Sequence, residues 1–129
     1  MFGWIKRLFG GSAGTRDQSS RGHKQSKPDR NRARELSDEG ASLTSVSMVQ
    51  ARAKWMQATE ADPTWSVPYF NLAMSYLDGG DPIQAENYLD QAEERANAGS
   101  SSEDSQVLQQ LKAMKARIAL KKELKRRGR

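Results

Sequence analysis

A chain of 129 residues has room for one small domain with extensions. It holds no cysteine, which excludes disulfides and cysteine-based metal or redox chemistry. Only 36% of it is apolar and the mean hydropathy is −0.87, so part of the chain is expected to stay unfolded.

The net charge of +5 conceals a division. Residues 1–34 hold nine Lys/Arg and two acidic residues, 35–111 hold three and thirteen, and 112–129 hold nine and one. An acidic module therefore stands between two basic ends, which either fold back onto it or reach other anions. No apolar run approaches the roughly 18 residues of a transmembrane helix.

Residues 1–11 (MFGWIKRLFGG) form the first organised stretch. At about 100° per residue, Phe2, Trp4, Ile5, Leu8 and Phe9 share one face, with Lys6 and Arg7 outside it. Aromatic rings beside cations suit a membrane interface, and the apolar part is too short and too interrupted for a secretory signal. Docking into a protein groove and import into an organelle are the alternatives. Residues 12–33 are rich in Ser, Gly, Arg and Lys and lack any large aliphatic side chain, so a disordered basic tether is expected. His23, the only histidine, has no second ligand nearby and reads as exposed filler.

Residues 34–99 read as helical hairpins. Leu36, Gly40 and Leu43 mark a thinly apolar first helix, with Asp38 and Glu39 where core residues are expected. Ser45 or Ser47 caps a second helix carrying Met48, Ala51, Trp55 and Ala58, and Asp62-Pro63 stops it. In a third helix Tyr69, Phe70, Leu72 and Tyr76 recur at three- and four-residue spacing. Gly79 and Gly80 end it, Asp81 caps the next helix and Pro82 sits in its first turn, ahead of an inward stripe of Ala85, Tyr88, Leu89 and Ala92.

Residues 97–102 (NAGSSS) break the pattern, and 102–129 predict a last helix. Val107, Leu108, Leu111, Met114, Ile118 and Leu120 form its apolar side, as a helix covering the end of a repeat array requires. Its final run, KKELKRRGR, suits a helix C-terminus and offers a contact for RNA, anionic lipid or an acidic partner.

The hairpin region resembles the tetratricopeptide repeat, a helix–turn–helix of about 34 residues. Tyr69, Leu72, Ala73, Tyr76, Gly80, Ala85, Leu89 and Ala92 fall at its offsets, and Ala51, Trp55, Ala58 and Asp62-Pro63 match the second half of a preceding unit. Ala73 replaces the usual glycine, and no proline closes the second unit. The resemblance implies an all-α fold of about two repeats with a C-terminal capping helix. It also implies that Val67, Phe70, Met74, Leu77 and Asp78 line a concave face for a protein or peptide segment. That face lacks the Lys, Arg and Asn with which some relatives clamp a terminal carboxylate.

No enzyme and no cofactor are expected. The one histidine, His23, lies in the expected disordered tether rather than in a Ser–His motif, GGSAGT lacks the Gly-Lys-Ser/Thr of a phosphate loop, and Asp78 and Asp81 lack the spacing of a calcium loop. The expectation is an interaction adaptor in the cytoplasm, held at the inner face of a membrane by its N-terminus. The alternative is a protein that binds polyanions, RNA or anionic lipid, through its basic ends. Two repeats are few for a continuous core, so either the last helix completes it or the chain pairs with itself or a partner.

Overall fold

The computed structural model describes residues 27–128. Within them the chain forms five helices: α1 Arg30–Leu43, α2 Met48–Ala61, α3 Ser66–Asp78, α4 Pro82–Ala98 and α5 Ser102–Arg127. The expected membrane-contact residues Phe2, Trp4, Ile5, Leu8 and Phe9, and His23, lie outside the described residues.

Local chemistry sets the helix ends. The Asp29 side chain accepts from the Arg32 amide at 3.0 Å, so α1 begins at Arg30, before the expected boundary at residue 34. The Asp29 amide also donates to the Ala61 carbonyl at 2.8 Å, which ties the start of α1 to the end of α2. Ser47, rather than Ser45, caps α2 through the Gln50 amide at 3.2 Å.

Between α3 and α4 the left-handed residue is Gly80, at φ +88°, while Gly79 stays at −83°. The Asp81 amide reaches the Tyr76 carbonyl at 2.8 Å and the Gly80 amide reaches Leu77 at 3.1 Å, so two orphan carbonyls of α3 are satisfied. The Asp81 carboxylate then accepts from the Gln84 amide at 3.1 Å, with Pro82 opening α4.

The two hairpins bury equivalent positions. Ala33, Leu36, Ser37 and Gly40 are buried on α1, and Val67, Phe70, Asn71 and Met74, each 34 residues later, are buried on α3. Ala51, Trp55 and Ala58 on α2 recur at the same interval as Ala85, Leu89 and Ala92 on α4. The thin apolar content of α1 is offset by close approach. A Cβ on Gly40 would stand 2.6 Å from Trp55 Nε1, so its absence lets the indole lie on α1 and donate to the Ser37 carbonyl at 3.1 Å.

α3 is the central element, with Tyr76 and Asp78 its only residues not buried. α5 runs along it in the same direction: Ser66 meets Asp104 at one end and Asp78 meets Arg117 at the other. Against α4 it is antiparallel, pairing Glu93 with Lys115 and Glu86 with Lys122. Where α3 ends at Gly79-Gly80, the positions 34 residues later are Ala113 and Met114. With no glycine there, α5 does not turn but continues over α4 to Arg127. Val107, Leu111, Met114 and Ile118 bury into the main core, whereas Leu108 and Leu120, expected on the same side, are exposed. Both sit on other faces of the helix.

Candidate interaction surfaces

Val67, Phe70, Met74 and Leu77 are all buried, at 3% exposure or less, and all belong to the main core. They do not form an open groove. The apolar stripe of α5, Val107, Leu111, Met114 and Ile118, belongs to the same core cluster. Asp78 remains half-exposed and pairs with Arg117 at 3.1 Å.

Ion pairs accompany that apolar contact. Glu93–Lys115 at 3.0 Å and Glu86–Lys122 at 2.9 Å run down the α4–α5 seam. Arg34–Glu103 at 3.2 Å joins α1 to α5. The basic C-terminal end thus folds back, in part, onto the acidic module. The two seam pairs are exposed and contribute about 0–1 kcal/mol each, while Arg34–Glu103 is part-buried, so apolar burial dominates the docking. The seam leaves a shallow groove of about 320 Å³, in which Glu86 and Asp90 face Lys115 and Lys122.

Arginines hold the junction between the hairpins. Asp62 accepts from Arg30 Nε at 2.5 Å, from the Thr64 amide at 3.0 Å and from Thr64 Oγ1 at 2.6 Å. Burial alone would raise the Asp62 carboxyl, but the hydrogen bonds from Thr64 and Arg30 outweigh it and hold it below its ordinary value. The guanidinium groups of Arg30 and Arg34 lie 5.2 and 5.4 Å from the Trp65 ring centre.

Arg95 stacks on Tyr69 at 4.2 Å and donates to the Pro63 carbonyl at 2.6 Å. Burial nevertheless raises the Tyr69 hydroxyl above its usual value. On the opposite edge Arg52 covers Tyr76 at 4.2 Å, and Tyr76 stacks on Tyr88 with ring centres 5.6 Å apart. Arg52 and Arg95 are two of only three cations between residues 35 and 111. That scarcity is the signal by which these contacts were detectable, and composition alone did not assign their partners.

The exposed apolar side chains lie elsewhere. Val46, in the α1–α2 turn, and Val49, at the start of α2, are each 74% exposed, and Ile83 is 58% exposed at the start of α4. Val49 and Ile83 are the second residues of their helices, at equivalent places in the two hairpins. Leu120 and Leu124 are exposed on α5. Among the described residues no group of His, Asp or Glu side chains is arranged to hold a metal ion, and no helix is long and apolar enough to cross a membrane. No family model, curated protein or solved structure matches the chain.

Proposed function

We propose that this chain is a non-enzymatic interaction module of the tetratricopeptide-like kind, with two repeats, α1–α2 and α3–α4, closed by α5. The observation that carries this reading is the 34-residue recurrence of buried positions from Ala33/Val67 to Ala58/Ala92. The basic arm ahead of α1 tethers the module, which works in the cytoplasm at a membrane face.

Val67, Phe70, Met74 and Leu77 are buried in the core that α5 shares, so they do not face a partner in this fold. The partner-facing surface in this reading is instead the edge carrying Val46, Val49 and Ile83. Recurring exposed β-branched side chains on an acidic body suit a protein segment that combines apolar residues with lysine or arginine.

The test is proximity labelling by the full chain, comparing wild type with Val49→Lys/Ile83→Lys. Both positions are exposed, so thermal stability should not change. Loss of a defined set of labelled proteins supports the reading. An identical labelled set from a folded double variant removes this edge from consideration.

A further inference from the structure

Leu120 and Leu124 are 59% and 54% exposed and stand one turn apart on α5. Leu120 lies two residues beyond the buried Ile118, about 200° around the helix. α5 therefore carries two apolar faces. One is docked, and the other, with Ala113, Ala116, Leu120 and Leu124, points to solvent.

The surroundings of the outward face are cationic. Residues 112–128 hold eight Lys/Arg and one acid, Glu123. Lys115 and Lys122 pair with carboxylates of α4, Arg117 with Asp78 of α3, and Arg126 and Arg127 with Glu123. Lys121, beside Leu124, has no ionic partner among the described residues. A helix that only covered a core would need polar residues where these leucines stand.

We infer that the outward face of α5 docks onto an anionic lipid bilayer. The cations meet phosphate headgroups while the two leucines enter the boundary of the acyl chains. A second copy docking on the same face would bring two equally basic helices together, which like-charge repulsion opposes. RNA would engage the cations but leave both leucines in water. The inference concerns a different surface from the Val49–Ile83 edge and stands or falls apart from it.

The test is vesicle co-sedimentation of the full chain in a Trp4→Glu background, so that the first residues do not supply the apolar contact. Phosphatidylcholine vesicles are used with and without phosphatidylserine. The expected result is binding only to the phosphatidylserine vesicles, reduced about tenfold or more by Leu120→Glu/Leu124→Glu, with helicity unchanged. No binding in the Trp4→Glu background overturns the inference, as does equal binding with and without the leucine changes. So does a leucine-dependent shift from dimer to monomer in sedimentation velocity, or a stronger affinity for single-stranded RNA than for the anionic vesicles at the same salt.

Discussion

Ser66 donates to the buried carboxylate of Asp104 at 2.5 Å, and this contact sets where α5 starts along α3. The same carboxylate accepts from the Ser101 amide at 3.3 Å, while Ser101 Oγ accepts from the Asp104 amide at 3.0 Å. One residue thus completes the capping box of α5 and satisfies the first side chain of α3. Gly99 belongs to the arrangement, since a Cβ there would fall on Asp104 Oδ2.

Replacing Asp104 with Ala is therefore expected to cost about 2–4 kcal/mol. The lost cap accounts for about 1 kcal/mol and the orphaned Ser66 hydroxyl for the remainder. Urea unfolding of Asp104→Ala beside Ser105→Ala, an exposed neighbour, measures it. A loss under about 1 kcal/mol would mean that α5 is not anchored there.

Phe70→Ala should destabilise the fold by about 3–5 kcal/mol, because the side chain is fully buried in the core that α5 joins. Had α3 presented an open concave face, the same change would cost little and alter only binding. Denaturant midpoints for Phe70→Ala and for Ile83→Ala, which should be near neutral, separate the two arrangements.

Gly40→Ala should be destabilising by about 1–3 kcal/mol, even though alanine is the better helix former. The added methyl would meet the Trp55 indole and the Ala51 carbonyl, at 2.6 and 3.0 Å. Melting curves of Gly40→Ala and of Gly40→Ala/Trp55→Phe test the cause. The smaller ring should restore part of the loss.

Asp62 gives stability an acid dependence whose sign follows from its lowered pKa. Its contribution is fully present above the unfolded carboxyl value, about 4, and is lost as the pH falls through the lower folded value. Asp62→Asn should be less stable at neutral pH and should flatten the decline in stability below about pH 4. Urea titrations between neutral and acid pH compare the two slopes, and parallel curves would contradict the assignment.

Much of the fold was legible in the sequence because turn chemistry and small-residue spacing are local. Gly80, Asp81 and Pro82 mark the α3–α4 turn, and Ala51, Ala58, Ala85 and Ala92 mark the inward sides of α2 and α4. The start of α1 was less legible. Its buried side is Ala33, Leu36, Ser37 and Gly40, which reads as polar until Trp55 from α2 covers it.

Repeat offsets say which residues of α3 share a side but not what lies over them. What covers Phe70 is a non-local fact, since the core in which it is buried draws residues from all five helices. Leu120 falls at the spacing of the docked stripe for a related reason. Spacing on a helix with apolar residues on both sides does not tell one side from the other.

α5 docks along α3 as part of one core, and hydrogen–deuterium exchange on the full chain tests this most directly. The prediction is that amides from Val107 to Ile118 exchange as slowly as those from Phe70 to Leu77, and that Asp104→Ala accelerates the first set more than the second. Rapid exchange across Val107 to Ile118 beside a protected α3 would contradict it. The face of Val67, Phe70, Met74 and Leu77 would then be open to a partner after all.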